Sequence, residues 1–303
     1  LPQSLLIFSR ERNAMSLPQK HSAKSAIAEP EPGARRVNVR VHRAGEIARV
    51  DDLVAEEIPV ALIYNDQPYV VMMATPCDLE DFALGFSLSE GIVAAADEIL
   101  DLRITSSPTA NSANAFAVHL RIPQQSLEKL MQRRRNLAGR SGCGLCGAET
   151  IAEATRMPAR VPAGLPISQA ALIAALQALR GRQHLNAITG ATHAAAWADA
   201  CGDLLDVRED VGRHNALDKL LGTLIKQRRD LGRGFAIVTS RASYEMVLKT
   251  AMLGIPVLVA ISAPTAYAIQ LAEDAGLTLI GFARGKNCVI YACAGRVENA
   301  VVI

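Results

Sequence analysis

From Ser168 to Cys293 short apolar runs alternate with helix-patterned stretches, and this alternation constrains the fold more than any other feature of the chain. Ser168 caps a helix running to about Gly181. Asp203–Val207 then reads as a strand, Val211–Gln227 as a helix and Phe235–Thr239 as a strand. Ser243–Leu253 is a helix, Pro256–Ile261 a strand, Thr265–Ala275 a helix and Leu277–Phe282 a strand, with Cys288–Cys293 as the last strand. Strands alternating with helices imply a mostly parallel sheet covered on both faces.

The upstream half is organised differently. Residues 1–36 mix Ser, Lys, Gln, Ala and Pro without periodicity and read as a disordered leader. Ile58–Tyr64 and Tyr69–Ala74 are β-favouring runs separated by Asn65-Asp66-Gln67-Pro68, the pattern of a hairpin. Asp78 is placed to cap a helix carrying Leu79, Phe82, Ala83 and Phe86, stopped by Gly91. Leu100–Thr105 and Ala115–Ile122 are further strand candidates, and Ser126 opens a helix leading into Arg133, Arg134 and Arg135. Pro158–Pro166 is a proline-bearing linker. The resulting division is a leader (1–36), an α+β part (37–140), a mobile cysteine loop with its linker (141–166) and an α/β part (167–303).

Composition narrows the partners. Lys+Arg at 32 against Asp+Glu at 30 leaves a net charge of +2, so general nucleic-acid binding is not expected and anion binding must come from a local cluster. No apolar run approaches the ~18 residues of a membrane span. Six unevenly spaced cysteines in 303 residues do not form a disulfide framework and point to a reducing cytoplasm.

In open α/β sheets, ligands bind beyond the carboxyl ends of the strands. Those ends are Thr239-Ser240-Arg241, Ser262-Ala263-Pro264-Thr265 and Phe282-Ala283-Arg284-Gly285-Lys286-Asn287. They offer hydroxyls, cations and amides at helix N-termini, a rim suited to phosphate or pyrophosphate. His214, in the first turn after Asp210-Val-Gly-Arg213, is either a satisfied buried histidine or a pocket proton donor or phosphate ligand. His193, near Trp197, raises the same question, because its small neighbours fit close helix packing as well as a flat ring.

Ser141-Gly-Cys143-Gly-Leu-Cys146-Gly147 places two thiols two residues apart among glycines, just after Arg140. The string matches G-x-G-x-x-G but lacks the preceding strand and the acidic residue about 20 positions on, so it is no dinucleotide fingerprint. Structural zinc would need two further ligands, which Cys288 and Cys293 could supply only if the two parts met. A thioredoxin-type pair belongs at a helix start after a strand, and small buried thiols are a third reading. The favoured one is a nucleophilic thiol that accepts, carries or donates sulfur, since nearby arginines lower a thiol pKa. Cys143 would attack the outer sulfur of a donor persulfide, with Cys146 as helper or as a competitor that releases sulfide. Cys77, Cys201, Cys288 and Cys293 read as packing residues.

Taken in order, Pro59-Val-Ala-Leu-Ile-Tyr-Asn65, Met73-Ala-Thr-Pro76, Asp78-Leu-Glu-Asp-Phe82, Gly85-Phe-Ser-Leu-Ser-Glu-Gly91 and Gly142-Cys-Gly-Leu-Cys-Gly147 carry a family signature. It continues through Thr192-His-Ala-Ala-Ala-Trp197, Glu209-Asp-Val-Gly-Arg-His214 and Ser240-Arg-Ala-Ser-Tyr-Glu-Met246. Over roughly residues 45–295 the chain resembles the formate dehydrogenase accessory sulfurtransferase family (FdhD). The resemblance implies a cytidine deaminase-like three-layer α/β/α sheet domain with a smaller N-terminal α+β domain, and a homodimer. It implies a sulfurtransferase that takes persulfide sulfur from a cysteine desulfurase onto Cys143. The sulfur passes to the molybdenum (or tungsten) bis-pyranopterin guanine dinucleotide cofactor, bound as substrate, for a formate dehydrogenase apoenzyme. The family's cofactor-binding stretch falls on Phe282, Ala283, Arg284, Gly285, Lys286 and Asn287, with Ser240, Arg241, His214 and His193 as further candidates. No structural metal is expected. The alternative is a non-catalytic delivery chaperone for the same cofactor. A deaminase is not expected, because no histidine is followed two residues on by Glu and Gly142 stands where the Pro of Pro-Cys-x-x-Cys belongs.

Overall fold

In the computed structural model, residues 31–43, 45–107, 114–135 and 156–298 are described. Cys143 and Cys146 lie outside them. A strand reaches into the stretch read as leader: β1 (Ala34–Arg43) pairs antiparallel with β2 (Glu46–Ala55) in a two-stranded hairpin that was not anticipated. Its alternation of Val37, Val39 and Val41 with polar residues is a strand signal, hidden beside a low-complexity neighbour.

The expected hairpin follows as β3 (Ile58–Tyr64) and β4 (Gln67–Ala74). Asn65 and Asp66 take φ of 45° and 63°, the left-handed pair a two-residue hairpin turn requires. With β5 (Asp101–Ser106) and β6 (Phe116–Arg121) they form a sheet ordered β4-β3-β6-β5. Pro68 is tolerated because β4 is an edge strand. Val60, Leu62 and Tyr64 turn inward against Phe82, Phe86, Val118 and Leu120, with α1 (Leu79–Ser89) supplying the phenylalanines. Helix α2 (Gln124–Arg135) adds Leu130 to this core.

The second sheet has the order β13-β12-β11-β10-β8-β9. Its strands are β8 (His193–Asp199), β9 (Leu204–Asp210), β10 (Gly234–Val238), β11 (Val257–Ala260), β12 (Thr278–Arg284) and β13 (Asn287–Ala292). The sheet is mixed, not mostly parallel. Only β10, β11 and β12 run parallel, while β8, β9 and β13 pair antiparallel with their neighbours. The cause is local: tight hairpins join β8 to β9 and β12 to β13, and a tight hairpin admits only antiparallel pairing. Strand β8 was not assigned from sequence because His193-Ala-Ala-Ala-Trp197 lacks the β-branched residues that mark a strand.

Three layers result, α/β/α. Ala236, Val238 and Trp197 face α5 (Arg213–Lys226), α6 (Tyr244–Met252) and α7 (Ala266–Ala275). Phe235, Ile237 and Ala196 face α3 (Gln169–Arg180) on the other side. A short α4 (His184–Thr189) leads into β8, and β7 (Ile167–Ser168) pairs parallel with β14 (Val297–Glu298). Residues 156–166 cross beneath the sheet, with Val161 N donating to Ala275 O and Leu165 N to Gly232 O.

The two halves are joined through α1 and α5. Between them lies a buried polar seam: Lys219 Nζ is 2.7 Å from Asp210 Oδ2, and Thr75 N and Oγ1 donate to the same carboxylate oxygen. Thr223 Oγ1 donates to Asp81 Oδ2, which Arg208 also meets at 3.2 Å. Each buried polar group named here has a partner, the condition under which such a seam fixes one arrangement of the halves. Among the described residues, no helix is long and apolar enough to cross a membrane.

Candidate functional site

The carboxyl ends of β10 and β11 and the ends of β8 and β9 beside them form one edge of the sheet. Strand β9 ends at Asp210, opposite His193 at the start of β8. Asp210 is fully buried and accepts from Gly212 N at 2.8 Å and from Asn215 Nδ2 at 3.0 Å, besides its bond to Lys219. This carboxylate therefore sets the turn that starts α5 and presents Arg213 and His214. Glu209, one residue earlier, accepts from Leu185 N, Asn186 N and Thr192 Oγ1, which places the approach to His193. Thr239, just past β10, exchanges bonds with the Ala194 backbone and locks β8 beside it.

His214 Nε2 lies 2.7 Å from Glu245 Oε2 on the first turn of α6. The contact is off the N–H line of the ring, so it is an ion-pair approach more than a directed hydrogen bond. Burial alone would raise the Glu245 carboxyl, but His214 and Lys249 hold it below the usual carboxylate range. His193 is pushed below the ordinary histidine value, first by burial and then by Arg213 and His214. A half-buried basic cluster thus sits on the α5–α7 side of the edge. Ser240 is buried and donates to Arg241 O, while the Arg241 side chain is exposed.

The stretch Phe282–Asn287 joins two strands, as the sequence pattern implied, but pairs them antiparallel instead of leading to a helix-bounded rim. No helix follows it. Gly285 and Lys286 form the turn of the β12–β13 hairpin, so this stretch offers no helix N-terminus. Phe282 takes φ of 51° where the register slips, and is 45% exposed, with its ring 6.5 Å from that of Tyr291. Ala283 packs into the α3 core, Lys286 O accepts from Gln169 Nε2, and Arg284 Nε donates to Ile261 O. A shallow pocket, largely apolar, lies between α3 and this hairpin, lined by Leu172, Leu176, Ala283, Lys286 and Asn287. The candidates therefore fall into two groups. His193 and His214 stand together with Arg213, Ser243 and Glu245, while 283 and 285–287 lie toward α3. Between β8 and β12 are three strand spacings, roughly 14 Å.

Arg213, Ser243 and Glu245 were not singled out as site residues in the sequence. Arg213, Ser243 and Glu245 were legible only as family letters, Ser243 also as the start of a helix. The described cysteines correct one expectation. Cys201 is exposed in the β8–β9 turn and does not pack, whereas burial pushes the Cys77 and Cys288 thiols up. Cys288 packs on the α3 side, and Cys293 Sγ approaches Ala272 O of α7 on the other, so those two cannot meet one ion in this arrangement.

A carbonyl and a guanidinium mark where the chain returns from the segment that holds Cys143 and Cys146. Arg156 donates to Glu90 O at 2.7 Å and to Glu90 Oε2 at 2.9 Å, while its own carbonyl accepts from Tyr244 Oη at 2.8 Å. Tyr244 opens α6 and stacks on Tyr267, centroids 4.8 Å apart, one residue before Glu245.

Comparison with known proteins bears on the chain's family. Residues 55–298 match the FdhD/NarQ family. A protein of Xanthomonas euvesicatoria named sulfur carrier protein FdhD is 56% identical over 272 residues, 90% of this chain and 95% of that one. A Cupriavidus necator protein of the same name is 50% identical over 285 residues, 94% of this chain and 97% of its own. A crystal structure of a formate dehydrogenase accessory protein from Desulfotalea psychrophila shares the fold, with a TM-score of 0.65 at 24% identity, covering 88% of this chain and 100% of that one. With the match spanning both halves and the seam between them, the chain belongs to the FdhD/NarQ family.

Proposed function

We propose that this chain is a sulfur carrier in the maturation of a formate dehydrogenase, and that Cys143 holds the sulfur as a persulfide. The observation that carries the reading is the pairing of two facts. Relatives 50–56% identical over nine-tenths of the chain are named sulfur carrier proteins. Cys143 and Cys146 are the chain's single C-x-x-C pair, set among glycines behind Arg140.

In the first step the Cys143 thiolate attacks the outer sulfur of a persulfide on a cysteine desulfurase. A Cys143–sulfur bond forms, the donor S–S bond breaks and the donor leaves as thiolate. Release follows when the Cys146 thiolate attacks Cys143 Sγ. A Cys143–Cys146 disulfide forms and hydrosulfide departs, the two thiols supplying the electrons that reduce the sulfane sulfur. The acceptor is the metal of a molybdenum (or tungsten) bis-pyranopterin guanine dinucleotide, which the carrier binds as substrate. Anchoring of Arg156 beside Tyr244 and Glu245 supports the reading, because it ties the cysteine segment's return to the polar edge of the sheet. The basic groups there, Arg213 and His193, suit the diphosphates of such a substrate. A homodimer, a desulfurase and an apoenzyme complete the partners proposed.

Intact-mass analysis after incubation with a desulfurase and free cysteine tests it. The expected result is an increment of about 32 Da, one sulfur atom, mapped to the 141–147 peptide and lost in Cys143→Ala. An unmodified wild-type chain, or a Cys143→Ala variant that still loads sulfur, would refute it.

A further inference from the structure

Arg156 is the first described residue after the segment that holds Cys143 and Cys146, and it is held from two sides. Its guanidinium forks onto the end of α1, donating to Glu90 O at 2.7 Å and to Glu90 Oε2 at 2.9 Å. Its carbonyl accepts from Tyr244 Oη at 2.8 Å, on α6 of the other half. Neither partner is free to drift. Glu90 Oε1 lies 2.8 Å from Lys249 Nζ, whose buried ammonium also meets Asp218 Oδ2 at 3.0 Å and Ser89 Oγ at 3.0 Å. Burial alone would raise the Glu90 carboxyl, but Lys249 and Arg156 hold it below the usual range, so the acceptor of the fork stays charged. The Tyr244 ring is stacked on that of Tyr267.

This is more than a linker needs. The next backbone bond along the chain is Val161 N to Ala275 O, and Met157 between them is 56% exposed. An arginine fork on a carbonyl and a carboxylate is directional as well as strong. Here it stands in an open stretch, where the cysteine segment rejoins the fold, and together with the Tyr244 bond it spans both halves.

Loading and delivery depend on such a tie differently. A sulfur donor arrives from solution and needs only a reachable thiol. An acceptor docked on the same chain is served at a rate set by the length of chain that tethers the thiols. With residue 156 released, the tether from Cys146 runs fifteen residues to Val161 instead of ten, and the local concentration falls by roughly twofold.

We propose that Arg156 is a positioning residue: through Glu90 and Tyr244 it ties the cysteine segment to the junction of the halves and sets the rate of sulfur delivery, not of loading. The role rests on the carrier function proposed above; the tie itself does not.

Single-turnover delivery from the persulfide-loaded full chain to the molybdenum bis-pyranopterin guanine dinucleotide, followed as the loss of about 32 Da, tests it. At saturating cofactor, Arg156→Gln/Tyr244→Phe delivers roughly twofold more slowly or worse. Its half-saturating cofactor concentration, its loading by a desulfurase and the removal of its sulfur by dithiothreitol match wild type. Arg103→Gln, the same change on an exposed residue of β5, delivers at the wild-type rate. Trypsin reads the tie separately: cleavage after Arg156, mapped by peptide mass, is slow in wild type and faster in Tyr244→Phe. Unaltered delivery in the double variant, or equal slowing of delivery, loading and dithiothreitol removal, overturns the positioning role and leaves the carrier function standing. Cleavage after Arg156 at one rate in both proteins overturns the tie. A wild-type chain that takes no sulfur refutes the carrier function, and this role with it, whatever trypsin shows.

Discussion

Gly85 of α1 and Gly222 of α5 interlock: a Cβ on Gly85 would fall onto the backbone carbonyl of Asp218, and one on Gly222 onto that of Asp81. The two helices cross backbone to backbone, and the crossing is what holds the N-terminal sheet against the C-terminal one. Gly222→Ala should therefore separate the halves. We expect a loss of about 3 kcal/mol or more, above the usual range for overpacking, because backbone and not a side chain must give way. Urea unfolding monitored at Trp197 measures it; a midpoint within error of wild type would contradict the crossing.

Lys249 is buried between Asp218 Oδ2 at 3.0 Å and Glu90 Oε1 at 2.8 Å. Burial alone would lower its pKa, but the two carboxylates raise it, so the ammonium stays charged inside the protein. Lys249→Met leaves buried Asp218 with the Ser89 hydroxyl but without its cation, while Glu90 keeps Arg156, and should cost about 3 kcal/mol. Equilibrium unfolding with an unchanged m-value would show it.

Ser168→Ala removes the bond from Ala171 N and should cost about 1 kcal/mol, as should Thr265→Ala for Ala268 N. Differential scanning calorimetry of the two single variants and the pair should give additive losses, since the helices lie on opposite faces of the sheet.

Two groups at the polar edge make stability fall with acid, in different windows. His193 is held below its unfolded value, so the unfolded chain takes up the proton first as pH drops through about 6.5, and stability begins to fall there. Glu245 is held low, so its contribution is present above about 4.5 and is lost as pH falls further. Melting temperatures across pH 2–8 should show a shallower upper limb in His193→Asn and a shallower lower limb in Glu245→Gln. Parallel profiles for all three proteins would contradict the assignment.

Much of the architecture was legible because it rests on local signals. The Asn65-Asp66 turn, the Ser168 and Thr265 caps and the buried runs of β10 to β12 all announce themselves within a few residues. Strand β8 did not, since its alanines have no strand preference and form a strand only because β9 and β10 flank them. The strands on either side of Gly285-Lys286 were read from sequence, but their antiparallel pairing was not, because pairing direction is not written in either run. Non-local facts were out of reach. Nothing near Gly85 says that Asp218 will lie on it, and nothing near Ser243 says that its hydroxyl will forgo the helix it heads.

The anchoring of Arg156 by Glu90 and Tyr244 bears on kinetics. Cys146 is ten residues upstream of that point, so covalent geometry alone confines its sulfur to within about 36 Å of Tyr244. Confinement to such a radius corresponds to an effective molarity in the millimolar range. Delivery of a sulfur atom to anything docked on the same molecule would then be independent of how dilute the carrier is, and only its loading would follow second-order kinetics.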